Sequence, residues 1–144
     1  MPPPSVWGPL LWKVVHGMCG TPIRLNSLQK DSDRELLWIV NHLEYIIPCK
    51  ECIDHLVSFR RKNPILKSYT TIGEWTCGLH NSVNEKLGKD NHSYSPSELQ
   101  IHTVKENWAA YLDSVKDSIL LGLILGDKHR EFTRHMLLWI QYSG

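Results

Sequence analysis

Apolar residues recur along this chain three and four positions apart, which is the spacing of one face of an α-helix. No stretch alternates convincingly between apolar and polar residues, as a half-buried strand would. Short breaks rich in glycine, proline and polar residues separate the helical stretches. The pattern therefore predicts an all-α domain, a bundle of four to five helices with an extra C-terminal helix.

The first two helices are predicted in the N-terminal third of the chain. The first covers about residues 5–18, with Pro9 tolerated in its first turn. The second opens at a capping box made by Ser32 and Glu35 and continues until Pro48, since proline cannot extend a helix. Its positions predicted to face the core are Leu36, Ile39, Val40, Leu43, Ile46 and Ile47.

The fourth helix is the one that carries the most chemistry. It opens at a capping box made by Thr71 and Glu74 and runs to Leu87, with Gly88 as the residue that follows its end. At 100° per residue its apolar face consists of Ile72, Leu79, Val83 and Leu87. Beside that face runs a polar stripe of Cys77, His80, Asn81 and Asn84, and polar residues that border a core need partners.

Turn signals set the remaining helix ends. The third helix ends before Asn63-Pro64, because the residue before a proline disfavours α geometry. The fifth starts at Ser95-Pro96, with Glu98 as the reciprocal cap. A sixth starts near Asp127, with an inner face of Phe132, Met136 and Trp139.

Charge and hydropathy exclude several classes of protein. The chain has 144 residues, with Lys+Arg 16 against Asp+Glu 15 and a net charge of +1, so it lacks the basic stripe that nucleic acid binding needs. Its longest apolar run, residues 119–125, is interrupted by Gly122 and is far shorter than the roughly 20 residues of a membrane-spanning helix. The N-terminal segment has no positively charged region of a secretory signal. We therefore expect a single domain, residues 1–144, that is neither secreted nor transmembrane and that works in a reducing compartment.

A cysteine pair, Cys49 and Cys52, opens the third helix. The unbonded N–H groups and the positive dipole end at a helix start lower the pKa of a thiol, as thiol exchange requires. Cysteines at this spacing also ligate zinc, with His55 next in the helix and with Cys77 and His80 as a second, distant pair. Thiol exchange and zinc ligation both remain open from spacing alone.

Aromatic and polar residues of the first and fourth helices are candidates for a cofactor site. Trp7, Trp12 and His16, with the polar stripe, have the chemistry to line a planar cofactor with polar edges. A thioredoxin fold would place the cysteine pair between a strand and a helix, and no such strand is predicted. A helical dithiol protein needs an electron acceptor to turn over, which such a cofactor would supply.

Three stretches, taken together, carry a family resemblance: WGPLLWKVVH at residues 7–16, PCKEC at 48–52 and WTCGLHNSVNEKLGK at 75–89. In order and spacing they resemble the Erv/Alr family of FAD-linked sulfhydryl oxidases, over roughly residues 7 to 108. The resemblance implies a small helical bundle that holds FAD at one mouth, usually as a homodimer. It also implies that electrons pass from the thiols of a protein substrate through the CxxC disulfide to the flavin and then to O2, giving H2O2.

The resemblance assigns roles by position. Cys52 would lie against the flavin ring while Cys49 exchanges with the substrate thiol, and Lys86 and Lys89 would be partners of the FAD phosphates. No metal is implied. The residues that match the FAD-binding segments of the family are Trp7, Gly8, Pro9, Trp12, His16, Cys77, His80, Asn81, Val83, Asn84, Lys86, Leu87 and Lys89.

The sequence departs from the family pattern in three places. Larger members often carry a cysteine after the fourth helix, and the region around residues 93–95 has none. Cys77 is then expected to be a thiol outside any disulfide, with a bond to Cys19 as the alternative. The four residues before Ser5 hold no shuttle dithiol, so substrate is expected to meet Cys49 directly. Beyond a family-like core of about residues 5–110, an extension of about 111–144 is expected to add packing or an oligomer interface.

As a short member of the family pattern with an unusual C-terminus, the chain resembles the members that large DNA viruses encode. That resemblance implies a site of action in host cytoplasm or in a virion, with the mitochondrial intermembrane space as the alternative, and a thioredoxin-like or viral protein as substrate. Two other functions are weighed from the residues: a zinc-stabilised helical binding module that uses Cys49, Cys52 and His80, and a helical partner that holds thiol substrates without oxidising them.

Overall fold

The computed structural model describes residues 3–20, 28–65, 71–89 and 101–143. Within these ranges the chain is helical and has no strand, which confirms the all-α prediction. The six helices are α1 (Pro4–Gly20), α2 (Gln29–Val40), α3 (Lys50–Lys62), α4 (Ile72–Lys86), α5 (Ile101–Leu120) and α6 (Gly126–Ser143), with a 3-10 turn (Leu43–Ile46) between α2 and α3.

Helix α1 lies at the centre of the packing. It runs along α5 and also contacts α4 and α2. Its fully buried positions, Val14 and Val15, join a core whose largest side chains include Trp75, Tyr111, Phe132 and Trp139. The helix begins at Pro4, so Pro9 lies in the second turn rather than the first, where its missing N–H removes one backbone hydrogen bond.

The prediction for the second helix is wrong at both ends. Helix α2 starts at Gln29, so Ser32 and Glu35 lie inside it and do not cap it. Both side chains are buried and bond to α6 instead: Ser32 Oγ lies 2.8 Å from Ser143 Oγ, and Glu35 pairs with His135. The helix also ends at Val40, and the apolar spacing then continues through the 3-10 turn. Partners distant in the sequence therefore use the side chains that would have formed a local cap.

Helices α3 and α4 have the predicted bounds. Helix α3 begins after Cys49 and ends before Asn63. At the start of α4, Thr71 Oγ1 accepts the Glu74 N–H at 3.0 Å, which is the predicted cap. At its end Gly88 has φ +70°, the left-handed conformation that glycine adopts without cost. The predicted start of α5 at Ser95-Pro96 falls outside the described residues.

The C-terminal helix α6 packs on α2 and on the 3-10 turn. It begins at Gly126 and buries Phe132, Met136 and Trp139, the inner face predicted for it. This region therefore contributes to the core of the same fold. The tight turn before it has Gly122 at φ +77° and leaves four leucines exposed: Leu120, Leu121, Leu123 and Leu125. Among the described helices, none is long and apolar enough to cross a membrane.

Candidate active site

A disulfide joins Cys49 and Cys52 at the N-terminus of α3, with their Cα atoms 5.3 Å apart. Cys49 is the N-cap residue, in extended conformation, and its Sγ accepts the backbone N–H of Cys52 at 3.3 Å. Both cysteines are half-buried and pack at the edge of the core. The N–H groups of the first turn of α3 have no carbonyl partner within the helix and lie at this end, so negative charge that develops on either sulfur is stabilised there.

A stack of three rings joins α1 to α4. The indole of Trp12 lies against the imidazole of His80 with ring centroids 4.1 Å apart and an interplanar angle of 8°. His16, one turn after Trp12, also stacks on the indole, with ring centroids 5.6 Å apart. The Nε2 atom of His16 lies 3.0 Å from His80 Nδ1. Three of the residues predicted for a cofactor site are therefore brought together on the facing surfaces of two helices.

The other residues predicted for the cofactor site lie on α4 or just after its end. Asn81 Nδ2 donates to Cys77 Sγ at 3.8 Å, and both side chains are half-buried, as is Val83. Asn84 is buried. Lys86, Leu87 and Lys89 are exposed at the end of the helix, and the 58% exposure of Leu87 contradicts its assignment to the apolar face.

The predicted residues at the start of α1 are divided between core and surface. Trp7 is buried and packs edge-on against Tyr111 of α5, with ring centroids 6.5 Å apart. Gly8 is half-buried, and a Cβ built there would meet no atom within 4 Å. Pro9 is exposed. Trp7 is therefore anchored in the bundle, while the next two residues border solvent.

A contact between α3 and α4 was not anticipated from the sequence. His55 Nε2 lies 2.9 Å from Ser82 Oγ, and both side chains are half-buried. Desolvation by burial, and then the nearby positive charge of Lys86, lower the pKa of His55. The sequence pattern indicates a role for His55 only as a metal ligand. Its spacing of three residues from Cys52 was the available signal, because such residues are neighbours on a helix.

Neither Cys19 nor Cys77 takes part in a disulfide. The expectation for Cys77 is confirmed, and the alternative bond between the two is not formed. Cys19 Sγ lies 3.9 Å from the hydroxyl of Thr76. Burial raises the pKa of Cys19 to about 11, and the hydrogen bond with Thr76 offsets part of this effect.

The residues weighed as zinc ligands are not grouped around a common point. Within residues 3–20, 28–65, 71–89 and 101–143, no three His, Cys, Asp or Glu side chains are arranged to hold a metal ion. The sulfurs of Cys49 and Cys52 are bonded to each other, whereas zinc binds cysteine as thiolate. His80 bonds to His16, and His55 bonds to Ser82. This arrangement favours disulfide chemistry over zinc ligation at the cysteine pair.

Comparisons with known proteins agree with the motifs. The sequence model of the Erv1 / Alr family matches residues 9–109. Over 90 residues the chain is 32% identical to an FAD-linked sulfhydryl oxidase of African swine fever virus, covering 62% of this chain and 74% of the viral protein. It is 33% identical over 84 residues to the FAD-linked sulfhydryl oxidase ERV1 of Arabidopsis thaliana, covering 57% of this chain.

A mitochondrial FAD-linked sulfhydryl oxidase of Saccharomyces cerevisiae, ERV1, is also similar, at 33% identity over 91 residues and 60% of this chain. The chain spans less than half the length of the plant and yeast relatives, 42% and 47% respectively. No solved structure matches the chain.

Proposed function

This chain belongs to the Erv1/Alr family, and from that premise we propose that it is an FAD-linked sulfhydryl oxidase. In this proposal it oxidises pairs of protein thiols to disulfides and passes the electrons through FAD to O2, which is reduced to H2O2. The observation that carries the proposal is the Cys49–Cys52 disulfide at the start of α3. Such a disulfide accepts two electrons, and its helix end stabilises the thiolates that result.

The side chains on the facing surfaces of α1 and α4 fit FAD by their chemistry. Trp12 and His80 are flat aromatic rings of the kind on which a planar ring system stacks, and His16 and Asn81 carry polar atoms beside them. Exposed lysines at the end of α4 suit the negative charge of a diphosphate. The residues that would hold FAD are Trp7, Gly8, Pro9, Trp12, His16, Cys77, His80, Asn81, Val83, Asn84, Lys86, Leu87 and Lys89.

Cys49 is assigned to exchange with the substrate. A substrate thiolate attacks Cys49 Sγ, the Cys49–Cys52 bond breaks, and Cys52 leaves as a thiolate. A second substrate thiolate then attacks the substrate sulfur of the mixed disulfide and releases Cys49, so the substrate gains a disulfide and loses two electrons. The position of Cys49 supports this order, because it precedes the first turn of α3 whereas Cys52 lies within it.

Cys52 is assigned to pass the electrons on. Bound FAD would supply an acceptor that takes two electrons and returns them to O2. On the protein side, the Cys52 N–H already bonds to the Cys49 sulfur, so this N–H is oriented toward the charge that the pair acquires on reduction. Re-formation of the Cys49–Cys52 bond then restores the disulfide and completes the cycle.

Substrate, assembly and location are further parts of the proposal. The substrate is a protein with paired thiols, for which a thioredoxin-like or viral protein is a candidate, and the enzyme works as a homodimer. The viral relative supports action in host cytoplasm or a virion, and the mitochondrial name of the yeast relative supports the alternative of the intermembrane space.

The visible spectrum of the purified protein tests the proposed function. We expect a flavin band that dithiothreitol bleaches in the absence of oxygen and that air restores, with one H2O2 formed per dithiol. Cys49→Ser and Cys52→Ser should bind flavin and lose turnover, while Cys19→Ser, a cysteine outside the disulfide, keeps it. A colourless protein that takes up no added FAD would contradict the proposal, and stoichiometric zinc would favour the binding module.

A further inference from the structure

The two ends of α3 are held to the rest of the bundle by different contacts. At the C-terminal end, Phe59 packs against Trp75 with ring centroids 5.7 Å apart, and Trp75 Nε1 donates to the carbonyl of Asn63 at 2.7 Å. Arg60 forms an ion pair with Glu44 of the 3-10 turn. The N-terminal half, which contains the disulfide, meets α4 through His55.

The location of His55 relates this contact to the cysteines. Side chains in an α-helix lean toward its N-terminus, so a residue covers the turn before its own Cα. His55 lies three residues after Cys52 and therefore sits over the turn that carries the Cys52 side chain. Its partner Ser82 lies on α4, the helix that also carries residues assigned to the flavin, and it faces α3, on a different side of α4 from the polar stripe.

We propose that His55 is a positioning residue for Cys52, because its hydrogen bond with Ser82 fixes the first turns of α3 against α4. This inference rests on the proposed function, since α4 also carries residues to which FAD is assigned. Transfer of electrons from a sulfur to a bound ring depends on their separation, so a small displacement of α3 slows the step. Burial and the charge of Lys86 lower the pKa of His55, which favours the neutral ring, and a neutral imidazole forms a hydrogen bond with a hydroxyl.

Four variants and one control test the proposal. Ser82→Ala and His55→Ala remove the hydrogen bond. Ser82→Thr keeps a hydroxyl, and His55→Gln keeps a polar nitrogen close to the position of the imidazole Nε2. Ser58→Ala, at an exposed serine of the same helix, is the matched control. Circular dichroism and flavin content establish that each variant is folded and loaded.

The enzyme with bound flavin is mixed with dithiothreitol in the absence of oxygen, and two rates are measured. The rate at which the disulfide opens is followed by quenching with an alkylating agent, and the rate of flavin reduction is followed by its bleaching. Loss of the hydrogen bond should slow bleaching about fivefold, the rate equivalent of an ordinary hydrogen bond, and leave disulfide opening unchanged. Ser82→Thr, His55→Gln and Ser58→Ala should stay near the wild-type rate. Bleaching as slow in His55→Gln as in His55→Ala would overturn the proposal, because the imidazole would then be needed for its proton chemistry.

A readout that needs no flavin separates this inference from the proposed function. The Ile53 N–H, which bonds to the carbonyl of Cys49 at 3.0 Å, reports on the first turn of α3 by hydrogen exchange. Its exchange should be about fivefold faster in Ser82→Ala than in Ser58→Ala or Ser82→Thr. Equal exchange in all of these would refute the positioning role even if the wild-type enzyme oxidises thiols. If His55→Ala does not fold, the comparison of Ser82→Ala with Ser82→Thr decides alone.

Discussion

The indole of Trp12 on α1 lies nearly parallel to the imidazole of His80 on α4, with 4.1 Å between the ring centroids. This contact joins the two helices that carry most of the residues assigned to FAD. Its flat aromatic surface is suited to a planar ring system, and the nitrogens of His16 and His80 supply polar atoms at its edge.

Replacing Trp12 should therefore weaken the binding of FAD. In Trp12→Leu the aromatic face is lost, and we expect the Kd for FAD to rise about tenfold, in line with the energy of one aromatic stacking contact. Trp12→Phe keeps an aromatic face and should lose less. Titration of flavin-free protein with FAD, followed by flavin fluorescence, measures both. An unchanged Kd in folded Trp12→Leu would exclude Trp12 from the FAD site.

The pair formed by Glu35 and His135 should stabilise the docking of α6 on α2. Their side chains are 7% and 13% exposed, so removing the carboxylate leaves a buried imidazole without this partner. Because leaving a buried hydrogen-bonding group without its partner costs about 2 kcal/mol, we expect Glu35→Ala to lower the free energy of unfolding by that amount, as measured by urea unfolding. Glu35→Gln keeps an oxygen that accepts the imidazole N–H and should cost less. The exposed Glu131 on α6 provides the control, Glu131→Gln, and an equal effect there would show that the pair contributes nothing specific.

Cys19 should react slowly with alkylating agents in the native protein. Burial raises its pKa to about 11 from the ordinary 9.0, so it forms about 100-fold less thiolate than in the unfolded chain. Timed labelling with iodoacetamide, followed by peptide mass analysis, measures the rate before and after denaturation. Without reduction, the same maps should show the Cys49–Cys52 link and no link between Cys19 and Cys77. Rapid labelling of native Cys19 would contradict its burial.

The lowered pKa of His55 predicts a loss of stability in acid. The folded protein binds a proton at His55 less readily than the unfolded chain, whose ordinary histidine pKa is about 6.5. The stabilising contribution is therefore present above that pH and is lost as the pH falls through the folded-state value. Urea unfolding at a series of pH values should show a smaller decline in His55→Gln than in the wild type. His129, whose pKa is also lowered by burial and by Arg130, contributes equally to both proteins. Parallel curves would show that His55 titrates normally.

Local signals in the sequence determined most of the helices. Apolar spacing predicted the inner face of α6, and the threonine cap and the glycine that follows predicted both ends of α4. The cysteine pair at a helix start was also predictable, because the CxxC spacing and the neighbouring proline lie within a few residues. All of these features depend on interactions within one or two helical turns, so they can be read without knowing how the helices pack.

Contacts between distant parts of the chain were decided only by the tertiary structure. The sequence spacing of Ser32 and Glu35 is that of a local helix cap. In the structure their partners, Ser143 and His135, lie on α6, and burial against that helix outweighs the cap. The positions of His16 and His80 in the sequence do not show that the two side chains bond to each other. The same holds for His55 and Ser82. Such pairs depend on the angle and register at which two helices pack, which the packing of the whole core determines.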